Sequence, residues 1–557
     1  MKKALLIVLA VSLFLSYTNP DKKLKKGAVL SLNHKKKHPL NDNVFGHFLE
    51  KCNWSGETGA DVIWDDETGT IRKDVEVFID SLEVPIVRFP GGTDIDYYQW
   101  TELIDNAYDR KDPERPHYDG RSDVVVSDNS LGIDEFLQLA ERRKFEPLLV
   151  VNLGDAYFEK RSLKESAEYA AALVAYCNLS VEADAPEKYL KWAKLREKNG
   201  RKEPYNVTYF QIGNEVWFFD KKIDLGVLPI EDKVLDRYYN LVESYIDEMR
   251  GIDSSIKIII EGNSVGLVKP AKEKLGDKFD MMAYHHYKPW GLGFAIDEAK
   301  DTIKEITPEA LYYGMITVPD FNPTTGQSDF HSSGFKTLVE NEVDIAVTEW
   351  NWNGWVTGPF RKAGLKDSKL AQAIGSTSML HAMMRHSKYV KIGNQSMMAG
   401  NSWGINTIRI EKKTGKGRIF PTGLATGLYA KHHGNEFVES SLSNQEFYEQ
   451  PYHGIGILNP EPKVAYLDVV VSESDQQFFI HVINRDYSST RNIHLDAASF
   501  NVKDNFKHME ISGEVYAKKN PLDAVLTNTV NAKEFLEENR TLQVNPHSIN
   551  VFVLDKN

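Results

Sequence analysis

The sequence predicts an α/β protein, a (β/α)8 TIM barrel followed by a C-terminal all-β sandwich domain. Two observations carry this. From about residue 44 to 396, eight short apolar runs alternate with stretches of helical periodicity. After about residue 420 the helical pattern gives way to short strand-like segments divided by Asn, Asp, Ser and Gly turns. At 557 residues the chain has room for both units. Its 41% hydrophobic and 26% charged residues allow a large core and argue against disorder.

The elements follow in order. Lys2 and Lys3 precede an apolar run, Ala4 to Leu15, which Ser16 to Pro20 break. This is a signal-peptide pattern over residues 1–20, too short for a comfortable membrane span, and it predicts a soluble secreted or periplasmic protein. A strand over residues 27–33 is expected to join the C-terminal β domain. The barrel is expected over 40–419. Its strands are read as Val44–Glu50, Val84–Pro90, Pro147–Leu153, Thr208–Gly213, Ile256–Glu261, Met281–His286, Ile345–Glu349 and Val390–Gln395. Amphipathic helices are read at Ile71–Leu82, Gly132–Arg143, Ser162–Tyr176, Leu235–Arg250 and Leu370–Arg385. A closed barrel fits this length better than an open doubly wound sheet. No Gly-x-Gly-x-x-Gly opens the first unit, which counts against a dinucleotide cofactor. Residues 420–557 form the β domain, with strands at Val464–Ser472, Gln477–Asn484, Thr490–Asp496, Gly513–Ala517 and Thr541–Val553.

The net charge of −13 repels phosphate backbones, so nucleic acid is not an expected partner. Two cysteines, Cys52 and Cys177, do not make a disulfide framework. No His, Cys or Asp cluster has metal-ligand spacing, and no metal or cofactor is expected; adjacent His285 and His286 point to opposite faces of a strand and cannot chelate together. Oligomeric state stays open, a homo-oligomer being allowed.

Barrels of this kind place reactive side chains at the C-terminal ends of their strands. The fourth strand ends in Gly213-Asn214-Glu215 and the seventh in Thr348-Glu349-Trp350. Two carboxylates facing across a pocket suit glycosidic bond cleavage, one protonated to assist the leaving oxygen and one ionised to attack. A gap of ~5–5.5 Å gives retention and ~6.5–9.5 Å inversion. A glutamate at a strand end also often caps the next helix, so the pair carries more weight than either residue alone. The first strand ends in Glu50, the second carries Arg88 before Pro90-Gly91-Gly92, and Trp350, Trp352 and Trp355 follow the seventh. These tryptophans are sugar platforms or packing.

The run Leu195-Arg196-Glu197-Lys198-Asn199-Gly200, Glu203-Pro204-Tyr205-Asn206-Val207 and Gln211-Ile212-Gly213-Asn214-Glu215-Val216-Trp217 resembles the acid/base region of glycoside hydrolase family 51, the α-L-arabinofuranosidase family. Phe45-Gly46-His47-Phe48-Leu49-Glu50, Arg88 with Pro90-Gly91-Gly92, Tyr98 and Trp100, and Thr348-Glu349-Trp350-Asn351 resemble its other motifs in the family order, over residues 27 to 557. The resemblance implies Glu215 as acid/base and Glu349 as nucleophile. It further implies Asn214 and Glu50 on sugar hydroxyls and Tyr287 beside the nucleophile. Arg88 is read as holding a carboxylate, and Gln395 and Trp350 as substrate contacts. The sequence departs from the family where Thr93-Asp94-Ile95-Asp96 replaces the usual asparagine-led turn, and the loop Asp105 to Asp128 is highly charged. The expected activity is retaining exo-hydrolysis of terminal arabinofuranosyl groups, with carbohydrate as the partner. A retaining endo-β-glycanase, an exo-glycosidase for another sugar, and a non-catalytic carbohydrate-binding protein are the alternatives.

Overall fold

Eight parallel strands close into a barrel in the computed structural model. The described residues are 27–52, 56–97, 99–107, 114–115, 125–126, 129–223, 226, 228–288, 307–316, 320–353, 368–451, 462–516 and 525–557. The leader reading at 1–20, Tyr98, Trp355 and most of the loop from Asp105 to Asp128 lie outside them.

The barrel strands are Gly46–Phe48, Ile86–Phe89, Glu146–Val151, Tyr209–Ile212, Lys257–Glu261, Met281–Lys288, Ile345–Trp352 and Val390–Ser396, and the last pairs with the first. Each lies within or overlaps a predicted run. The first is shorter than expected. Val44 and Phe45 belong to a 3-10 turn, Asp42–Phe45, because the Asn41 side chain accepts the Asn43 N–H and starts a helical turn. Glu50 therefore lies beyond its strand.

Register fixes which side chains point inward, since paired residues share a face. His285 pairs with Glu349, while His286 pairs with Trp350 and Trp350 with Gln395. The first set faces the barrel mouth and the second the helix layer. The helices Lys73–Leu82, Ile133–Arg143, Leu163–Asn178, Asp232–Ile252 and Lys369–Arg385 occupy the predicted stretches. Ser162 caps the third of them in a reciprocal box with Glu165. Helices Glu187–Lys198, Val265–Leu275, Pro308–Met315, Ser333–Glu340 and Pro421–Lys431 were not anticipated. The fifth is buried over most of its length and so lacks a polar stripe to reveal it.

In the β domain one hydrogen-bonded sheet of nine strands curls around its own apolar core, which draws on Leu30, Val471, Ile480, Phe506, Leu542 and Phe552. Ala28–Pro39 is a member, antiparallel to Glu436–Ser443 and parallel to Arg491–Leu495. The predicted strand Gly513–Ala517 is corrected: Gly513 ends Val502–Gly513, with φ 146° closing it. The predicted Thr541–Val553 splits into Thr541–Val544 and Ser548–Lys556 around a turn where His547 has φ 38°.

A charged cluster seals the seam between sheet and barrel. Asp468, on the sheet strand Leu467–Glu473, accepts hydrogen bonds from Arg385, from Arg485 and, at 3.0 Å, pairs with His381 Nδ1. Arg385 and His381 lie on the barrel helix Lys369–Arg385, between the seventh and eighth strands. Asp468, Arg485 and His381 have fully buried side chains. Burial pushes the Asp468 carboxyl up, but Arg385, Arg485 and His381 together hold it well below the usual carboxylate range.

Candidate active site

The mouth of the barrel gathers side chains from the second, fourth, sixth, seventh and eighth strands. Arg88 is its hub. Fully buried, it donates from Nε to Gln211 Oε1 at 2.9 Å, from Nη1 to Glu349 Oε1 at 2.9 Å and from Nη2 to Asn214 Oδ1 at 2.6 Å. Its guanidinium lies 4.4 Å from the centre of the Phe48 ring. One arginine thus ties the nucleophile candidate to the turn that carries the acid candidate.

Glu349 also accepts from Tyr287 OH at 2.8 Å, and that hydroxyl lies 2.7 Å from Ser396 Oγ. His285 stands between the two glutamates. Its Nδ1 is 3.0 Å from Glu215 Oε1 and 3.7 Å from Glu349 Oε2, and its Nε2 is 2.9 Å from Thr348 Oγ1. Ligand-bearing atoms of Glu215, His285 and Glu349 lie within 4.8 Å of one another. Among the described residues this is the one group with the spacing to hold a metal ion. The sequence offered no such expectation, because the three come from three different strands. Glu50 is buried beside them. A Cβ on Gly92 would meet Glu50 Oε1 at 2.5 Å and Glu349 Oε1 at 3.3 Å, so any larger residue there would displace the Glu50 carboxyl.

The two central glutamates are driven apart electrostatically. Burial raises Glu215 and the charge of Glu349 adds to this, against the hydrogen bond from His285. Burial also opposes ionisation of Glu349, but the charges of His285 and Arg88 and the Tyr287 hydrogen bond outweigh it and bring it below its ordinary value. Burial alone would lower His285; Glu349 and Glu215 overcome that and raise it. Glu50 is pushed well up by burial and then by the charges of Glu349 and Asp94.

Glu50, Arg88, Asn214, Glu215, Tyr287 and Glu349 thus converge. Trp350 and Gln395 do not. Trp350 is fully buried and alternates with Glu349, so its ring lies in the strand–helix layer and presents no face to a sugar. Trp352, also buried, donates to the Met315 carbonyl. Gln395 directs its carboxamide oxygen to Thr426 Oγ1 at 2.8 Å, on helix Pro421–Lys431. Both readings as substrate contacts are corrected by side-chain alternation: Ser396, one residue on, is the one that reaches Tyr287. The half-buried Trp217 has its ring centre 5.8 Å from that of His285, the hydrogen-bond partner of Glu215. Sequence reasoning missed His285, Gln211 and Ser396.

A closed barrel that sets two oppositely biased glutamates at the ends of its fourth and seventh strands has the layout of the retaining barrel glycoside hydrolases. Residues 78–295 match the family model for the α-L-arabinofuranosidase 1 domain. The α-L-arabinofuranosidase C of Emericella nidulans is 31% identical over 40% of this chain, and the aligned part spans 39% of that relative. The intracellular exo-α-(1→5)-L-arabinofuranosidase 1 of Bacillus subtilis is 28% identical over 84% of this chain and 88% of its own. Among solved structures, the GH51 arabinofuranosidase of Xanthomonas axonopodis pv. citri superposes with TM-score 0.70 at 17% identity, covering 95% of this chain and 99% of that one. The α-L-arabinofuranosidase of Thermotoga maritima, solved with arabinose, gives 0.64 at 21%, covering 95% and 99%. The chain is thus similar in sequence to α-L-arabinofuranosidases and shares the fold of the solved family 51 enzymes.

The expectation of a secreted or periplasmic protein is corrected. The Bacillus relative that aligns along most of the chain is an intracellular enzyme, and the residues that suggested a leader lie outside those described. Among the described residues no helix is long and apolar enough to cross a membrane.

Proposed function

We propose that the protein is a retaining, exo-acting α-L-arabinofuranosidase that removes terminal arabinofuranosyl groups from a polysaccharide or oligosaccharide. Glu349 is the nucleophile. It attacks C1 while Glu215 gives its proton to the departing oxygen, leaving a glycosyl-enzyme ester. Glu215, now ionised, takes a proton from water, which attacks C1 and frees Glu349. The observation that carries this reading is the approach of the two carboxylates to within 4.8 Å with opposite leanings in charge. So close an approach of carboxylate oxygens favours the ~5–5.5 Å spacing of retaining enzymes over the ~6.5–9.5 Å of inverting ones.

The surroundings support the same roles. Asn214 Nδ2 is buried and has no partner, so it can donate to the hydroxyl next to C1. Glu50, buried beside the pair, can bind another. Arg88 and Tyr287 keep Glu349 ionised and aimed. We read residues 40–419 as the catalytic barrel, and residues 27–33 with 420–557 as a domain that braces it through Asp468.

A panel of nitrophenyl glycosides with a polysaccharide digest tests this. Release of arabinose alone, abolished in Glu349→Gln, is expected. A ladder of oligomers, another sugar, or a Glu349→Gln enzyme as fast as wild type would overturn it.

A further inference from the structure

Asp96 lies in the segment Thr93–Asp96 that departs from the family pattern, and it is fully buried. Its carboxylate contacts main chain from two separate barrel turns. Oδ1 accepts the Leu153 N–H at 2.7 Å and the Gly154 N–H at 3.0 Å, in the turn after the third strand. Oδ2 accepts the Asn214 N–H at 3.0 Å, in the turn after the fourth.

That second turn has an uncommon shape. Gly213 has φ 71° and Glu215 φ 47°, so left-handed residues flank the Asn214 peptide. Glutamate rarely adopts this region, because its Cβ crowds the backbone. The surrounding fold must hold it there. The Asn214 side chain is fixed by Arg88, and its main chain by Asp96. The approach is close on every side. A Cβ on Gly154 would lie 2.4 Å from the Asp96 carbonyl oxygen, and one on Gly213 would lie 3.0 Å from the Leu153 side chain.

We infer that Asp96 is a positioning residue for the acid/base glutamate: its carboxylate clamps the turn that aims Glu215 at the leaving oxygen. The inference rests on the proposed role of Glu215. Asp96 touches neither catalytic carboxylate, so its influence passes through the backbone.

The test uses Asp96→Asn in the full-length chain, with aryl and alkyl arabinofuranosides of graded leaving-group ability. The substituted amide keeps an oxygen for Leu153 and Gly154 but turns an N–H donor toward the Asn214 N–H. A misplaced acid harms substrates that need protonation and spares those that do not. We expect kcat/KM on an alkyl arabinofuranoside, which reports the first, acid-assisted step, to fall about 100-fold, a loss typical of a catalytic group shifted by about 1 Å. On a dinitrophenyl substrate, which needs little protonation, kcat/KM should fall less than about 3-fold. An equal loss of kcat/KM on all leaving groups, or no loss, would overturn the inference. Asp96→Ser, which keeps one acceptor and removes the donor clash, carries the same comparison if the asparagine variant does not fold. Wild-type enzyme inactive on every arabinofuranoside would instead overturn the assigned reaction, and this inference with it.

Discussion

Replacing Tyr287 by Phe removes one oxygen and, with it, the 2.8 Å hydrogen bond to Glu349 Oε2. The acceptor is a buried carboxylate, and hydrogen bonds to charged groups contribute about 1.5–3 kcal/mol. That contribution belongs to the ionised form. One pH unit corresponds to 1.36 kcal/mol, so its loss raises the Glu349 pKa by about 1–2 units. Glu349 must be ionised to attack. Its carboxyl sits below its ordinary value in the intact site, and activity fails as pH falls through that value. The variant should therefore lose activity at a higher pH. The assay is the pH dependence of kcat/KM on a nitrophenyl arabinofuranoside, which reports groups of the free enzyme. The acid limb should move up by about 1–2 units while Arg88 keeps the carboxylate in place. An acid limb that does not move would refute the claim that Tyr287 sustains the charge on Glu349.

Three further outcomes follow from the same geometry. Glu215→Ala should show a far higher kcat/KM on a dinitrophenyl substrate than on a poorly activated one, and its kcat/KM should lose the alkaline limb, since no proton donor remains to be titrated; equal loss of kcat/KM on both substrates would count against its acid role. Trp350→Phe should lower stability by roughly 1–3 kcal/mol in urea unfolding and leave KM unchanged, because the ring lies in the core; a raised KM at unchanged stability would restore it as a sugar contact. Asp468→Asn leaves Arg485 buried without its counter-charge and should cost about 3–5 kcal/mol of stability; a change within 0.5 kcal/mol, the usual range for surface substitutions, would show that the seam does not depend on this carboxylate.

The barrel was legible because its strands are short apolar runs, and strand ends are where this architecture presents chemistry. Glu215 and Glu349 could be read for that reason. Alternation held more than was taken from it. Adjacent histidines on one strand must face opposite ways, and that same rule puts His285 with Glu349 and turns His286 and Trp350 outward. Gln395 failed on the same count, since its partner across the sheet is the outward Trp350. Asp96 was harder to read. Its partners are main-chain N–H groups of Leu153, Gly154 and Asn214, 57 to 118 residues away in sequence, and no local pattern encodes them. The helix Pro421–Lys431 was hidden by its own burial, which removes the polar face that periodicity needs.

The anomeric configuration of the sugar first released from an arabinofuranoside, followed by proton NMR before mutarotation, probes the paired glutamates most directly. Carboxylates this close predict a product with the same configuration as the substrate. A first product of opposite configuration would mean that water, and not Glu349, attacks C1.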